Sequence, residues 1–397
     1  MLSRYANVYA LFERMLLQTF HSSPENLSLY RIIYGTLMLL VLSPHLDFVE
    51  PLPEYLFSPP MSFAALFDSP LSSSTITAIR YGLAIALMSL TIGYRTCLSS
   101  LAVACLLVVL NSAIYSTGKI NHTILVVAVP LVLAFSAWGS RFSLDSLTGR
   151  RLFCETAIPM GLLALVISIA MATAGWTKFK SGWLALDASA VKHYVYDFWV
   201  IRGCETAMLR PLVAGTPQWT WELKDWSTVG IELAGLIAVF RRRWFFTWLA
   251  TACALHIGVS VMMRINFPSN VLAYGAFYPW VLLFGFPRST HGELRIRKCD
   301  AKMNSWRNQW AGTSLAAGAL LASVGLLFLF DELPSTQSRL EIAKWFVVWL
   351  PIPLIAIAGY RTMRFQSDRH RSTSSNLPVD SKEPVTIDQE SRSPIAA

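Results

Sequence analysis

A lysine stands where apolar sequence meets polar in "GWTKFKSGW", directly after the greasy run "ETAIPMGLLALVISIAMATA". Lys178 admits two readings. Its amine can snorkel to an interface beside Trp176 and Trp183, as long basic side chains do at helix ends. Alternatively, a lysine kept partly from water becomes easier to deprotonate and can serve as a base. Other polar residues share its depth. Asn121 and His122 open one apolar segment, and Asn266 and Asn270 flank the start of another. Asn111 lies near the same level, and His256 sits inside a third segment. Glu232 falls about six residues into its segment, roughly 9 Å deep at the helical rise. Ionisable groups inside membrane spans are costly and face a bundle interior or a wet cavity. A Lys/His/Glu set could perform acid–base chemistry. Each member also has a structural reading: an interhelical histidine, a paired carboxylate, an ordinary helix start at 121–122. The sequence holds no metal-ligand spacing, nucleophile elbow or glycine-rich phosphate loop.

Positioning such residues requires helices in a bilayer. Of 397 residues, 54% are hydrophobic and 14% charged, against about 25% charged in soluble domains. With several apolar runs near span length, the expected class is an all-α, polytopic transmembrane helical bundle of about ten spans (8–10). The spans fall at 27–45, 76–94, 97–115, 122–138, 154–176, 227–240, 243–263, 268–286, 312–330 and 343–360. Ahead of them, residues 1–26 form a cytoplasmic segment whose spaced apolar residues (Tyr5, Val8, Phe12, Leu16) suggest an interfacial amphipathic helix. Ser23 is the expected N-cap of the first span, with Pro24 in its first turn.

Basic residues orient the bundle. Arg4, Arg14, Arg31, Arg95, Arg141, Arg150, Arg151 and the "FRRRW" triplet all fall on the side of the N-terminus. The other side has Lys119, Arg264 and the long loop 177–226. This asymmetry places both termini in the cytoplasm of a cell-membrane protein and Lys178 on the outside. The cytoplasmic half of the spans shows no comparable polar set, and neither an internal repeat nor an interrupted helix is evident. The net charge of +9 fits cytoplasmic loops better than nucleic acid, because no basic face carries interleaved aromatics. Of six cysteines, Cys204 alone lies in an outside loop, so an external intrachain disulfide has no partner. Residues 361–397 read as a disordered cytoplasmic tail.

The run "NHTILVVAVPLVLAFSAWGSRFSLDSL", followed by "TAGWTKFKSGWL", resembles the membrane core shared by vitamin K-dependent γ-carboxylases and HTTM (horizontally transferred transmembrane) domain proteins. The shared features are an Asn-His opening a span, a Ser-x-Asp after it (Ser143, Asp145), and a span ending in Gly-x-x-Lys and then Trp. "SLYRIIYGTLMLL" resembles the family's first span, and "ELAGLIAVFRRRWFFTWLATACALHIG" its later helix pair. The resemblance covers 27–287, leaving 288–360 as two additional transmembrane helices. It implies chemistry on the external side, with Lys178 as the base that deprotonates a reduced quinone (vitamin K hydroquinone or menaquinol) and His256 as a helper. Asn121, His122 and Glu232 would line the cofactor site, no metal is implied, and an unknown protein or peptide would be the acceptor. Two features differ from the carboxylases. Gly139 and Ser140 stand where those enzymes have Asn-His, and the segment after 287 does not resemble their large lumenal domain. The alternative is a non-catalytic immunity, receptor or transport component that binds a small lipid-like ligand at the same residues.

Overall fold

The structure, a computed structural model, describes residues 20–42, 53–59, 63–67, 69–115, 123–150, 156–186, 188–203, 213–263, 265 and 267–284. Most of the N-terminal segment, Asn121, His122, Asn266, the two last expected spans and the tail lie outside the described residues. Those described form helices and turns, without strands. The longer helices are α1 (Pro24–Leu42), α2 (Ser73–Ile92), α3 (Thr96–Tyr115) and α4 (Ile124–Leu133). They continue through the single turn α5 (Leu144–Leu147), α6 (Ala157–Lys180), α7 (Ala190–Tyr196), α8 (Gln218–Ala238) and α9 (Arg242–Met263). Two short pieces, α10 (Pro268–Tyr274) and α11 (Trp280–Leu283), follow. Four helices, α2, α3, α6 and α9, are long and apolar enough to cross a membrane. The protein is therefore membrane-embedded and helical.

Local chemistry sets several of these boundaries. Ser23 Oγ accepts the Asn26 N–H at 3.2 Å, so α1 starts at the expected cap. Helix α2 ends on Gly93 at φ 71°, where the Tyr94 N–H reaches the Ser89 carbonyl at 2.9 Å. Any side chain here would collide with Ser143, 2.3 Å from the position of a Cβ. That left-handed turn joins α2 to α3 within a few residues.

Two expected spans are interrupted. The segment read as 122–138 is helical only to Leu133, then turns through a 3₁₀ piece at Ala137–Gly139. Pro130 cannot donate to the Val126 carbonyl four residues back, and the Tyr34 hydroxyl takes that carbonyl at 2.7 Å. The segment read as 268–286 breaks at Tyr278, whose extended backbone (ψ 145°) precedes Pro279, as a residue before proline prefers. Backbone exposed by such breaks must find partners inside the protein. Helix α1 supplies them from one face: Asn26 donates to the Tyr278 carbonyl at 2.8 Å, and Tyr30 to the Leu272 carbonyl at 2.6 Å. Asn26, Tyr30 and Tyr34 are spaced four apart, so they form a single stripe.

The sixth expected span also changes. Helix α8 begins at Gln218 rather than 227 and runs 21 residues. Its first turns, "QWTWELKDW", are too polar for a hydropathy reading, yet Trp221 and Asp225 on their inner face are buried. Helix α6 packs along α8 in the most extensive helix pairing of the bundle. Gly175 allows the approach, since a Cβ there would stand 2.9 Å from the Glu232 Cβ.

Candidate functional site

The close α6–α8 packing brings Lys178 and Glu232 together. Lys178 Nζ donates to both Glu232 carboxylate oxygens at 2.7 Å. The pair is graded in exposure: the lysine side chain is 24% accessible and the glutamate 9%. Shared depth in the sequence is thus direct contact in the fold. Glu232, expected among the residues lining a cofactor site, is the direct partner of Lys178. With both oxygens on one ammonium, Lys178 is more than an anchor snorkelling to water.

The chain then folds back over the pair. After α6 the Ser181 N–H bonds the Thr177 carbonyl at 3.0 Å and the Trp183 N–H bonds that of Lys178 at 3.2 Å, with Gly182 at φ 82°. This turn sets the Trp183 ring 5.4 Å from Lys178 Nζ, within cation–π range. Tyr194 of α7 packs on Trp183, ring centres 5.7 Å apart. Asp225 fixes α7 by accepting the Ala190 and Val191 N–H groups at 2.8 and 2.7 Å. Trp199 donates to the Met262 carbonyl at 2.7 Å and shares a small core with Val191, Val195, Trp221 and Met263. The described part of the 184–226 polypeptide is accordingly a packed cover over this region, not a loose loop.

His256 belongs to a second, deeper cluster. Its Nε2 lies 3.1 Å from the Tyr274 hydroxyl, and its ring stacks on Phe267 at 4.4 Å. Asn270 donates toward Tyr274 at 3.4 Å and toward the Met171 sulfur at 3.6 Å. Asn270 Oδ1 is buried without a hydrogen-bond partner among the described residues. Met171 and Lys178 are both on α6, about two turns apart, so one helix links the clusters. The contacts of His256 with Tyr274 and Phe267 place it in this cluster. Tyr274 and Asp225 were not among the residues singled out from the sequence; Asp225 is masked there by its polar neighbours Glu222 and Lys224.

A third polar cluster corrects the expectation that one half of the spans lacks such residues. Arg31, fully buried, donates to the Trp138 carbonyl at 2.9 Å and to the Phe142 carbonyl. Asp145 accepts the Arg95 and Thr96 N–H groups at 2.9 and 2.6 Å and the Thr96 hydroxyl at 2.8 Å. These contacts cap the start of α3 and hold the turn after α4. No group of three metal-binding side chains occurs among the described residues.

Compared with known proteins, the chain matches no family model, no curated protein and no solved structure.

Proposed function

We propose that this chain is a multi-pass membrane protein of the HTTM or γ-carboxylase-like type, whose Lys178–Glu232 pair removes a proton from a quinol-like ligand. In this reading about ten spans place both termini in the cytoplasm and the pair on the outer side. The bidentate 2.7 Å ion pair, partly open beneath Trp183, carries the reading. The residues suit a flat hydroxylated ligand. Trp183 offers an aromatic face beside the ammonium, and the stacked Trp176 and Phe179 rings (5.4 Å) are exposed on the same helix end. A bound reduced quinone would supply an ionisable hydroxyl and two reducing equivalents.

The chain's own part is to bind, orient and move one proton. Lys178 Nζ, the more exposed partner, would be the first group of the pair to meet a ligand hydroxyl. Glu232 would be the net acceptor of the proton given up by a bound quinol hydroxyl, and Lys178 would remain an ammonium beside the resulting negative charge. Lys178 therefore acts with Glu232 and not as a lone amine base. His256, held by Tyr274 and Phe267, supports the wall of the bundle behind the pair.

The same ion pair admits a second reading, in which an ammonium already matched by both carboxylate oxygens recognises a ligand without turnover. Quinol oxidation by the purified protein with menaquinol and vitamin K hydroquinone separates the two. Turnover that disappears in Lys178→Ala supports the proton-transfer reading. Quinol binding without turnover supports the non-catalytic one.

A further inference from the structure

A cavity of about 330 Å3 lies between the start of α3 and the turn after α4, its wall including Arg95, Leu98, Ala134, Trp138, Asp145 and Arg150. Its electrostatic balance is positive. The Asp145 carboxylate is already engaged by two backbone N–H groups and a hydroxyl. Arg150 approaches it only to 3.7 Å. The two arginines also share one aromatic support: their guanidinium groups lie 5.9 and 5.5 Å from the Tyr94 ring centre. Arg95 has no carboxylate partner among the described residues. In the cavity wall, Trp138 is fully buried, and its indole N–H has no hydrogen-bond partner among the described residues.

Depth and apolar surroundings narrow the ligand. Thr96 is the first residue of α3, one of the spanning helices, so the cavity stands at the level where a span leaves the bilayer. Leu98 is 57% exposed and Phe135, next to Ala134, is 50% exposed. An anion that enters between these residues thus meets two guanidinium groups, with the exposed Leu98 and Phe135 beside it. Arginine forks match phosphate oxygens, and the volume suits a glycerophosphate-sized group.

We propose that this cavity binds the phosphate headgroup of an anionic lipid, with Arg95 and Arg150 as the phosphate ligands and Leu98 along the acyl chain. The site is independent of the Lys178 pair and of any quinol activity.

The test is lipid retention by the full-length protein, delipidated in detergent and read by native mass spectrometry with equimolar phosphatidylglycerol and phosphatidylcholine. Wild type should retain the anionic lipid about tenfold better. Arg95→Gln/Arg150→Gln should abolish that preference while the protein still elutes as a folded particle. Arg241→Gln/Arg243→Gln, which removes the same charge outside the cavity, should keep it. Leu98→Trp, which narrows the apolar side and leaves both arginines, should weaken retention. An equal loss in the Arg241/Arg243 variant would reduce the effect to general surface attraction and overturn the proposal. Displacement of the lipid by millimolar inorganic phosphate would overturn the lipid assignment in favour of a free anion.

Discussion

Arg31 and Lys178 are both cations in a membrane bundle, but they are satisfied in different ways. Arg31 is fully buried and spends its donors on backbone carbonyls of the turn after α4. Lys178 retains 24% exposure and meets one side-chain carboxylate. Backbone carbonyls cannot take up a proton at ordinary pH, so the Arg31 network can only hold structure. A carboxylate can, so the Lys178–Glu232 pair can change state when a ligand arrives. The partner's chemistry, more than burial itself, separates scaffold from candidate site.

The sharpest way to break that contrast is at Arg31. Arg31→Met strands buried carbonyls at Trp138 and Phe142, and should cost about 3–5 kcal/mol; thermal unfolding in detergent would show a large fall or no folded protein. Lys178→Met leaves Glu232 buried without its counter-charge and should cost about 3 kcal/mol. Adding Glu232→Gln should recover most of that stability without recovering any quinol turnover, a pattern a double-mutant cycle reads directly. Gly175→Val forces α6 from α8 and should cost about 1–3 kcal/mol, with the Lys178–Glu232 separation growing in a structure of the variant. Asp145→Asn keeps the shape but loses the charge on the α3 cap, and should cost about 1 kcal/mol with turnover unchanged. Trp199→Phe, which removes the bond to the Met262 carbonyl and part of a ring packed in the small core, should cost about 1 kcal/mol in the same unfolding measurement.

Much of the scaffold is legible in the sequence because apolar runs of span length have few alternatives in water. The α2, α3, α6 and α9 segments belong to this class, as does the Ser23 cap. Gly175 and Lys178 could be singled out by spacing, but the reason for the glycine appears only when Glu232, 54 residues after Lys178, packs against it. The start of α8 is hidden because its buried residues, Trp221 and Asp225, are a minority among polar neighbours. The breaks at Pro130 and Tyr278 depend on side chains of α1, more than 90 residues away. Hydropathy averages over such residues and therefore reads each broken segment as a continuous span. Arg31 was visible as a lone cation in an apolar helix; its carbonyl partners, over 100 residues distant, were not.

The most direct test of the central claim is quinol oxidation by Glu232→Gln beside wild type, with folding verified by thermal unfolding and Asp145→Asn as the scaffold control. If the pair is the proton-transfer centre, Glu232→Gln is folded and inactive, while Asp145→Asn turns over normally. Full turnover in folded Glu232→Gln would contradict the account and return the pair to a structural role.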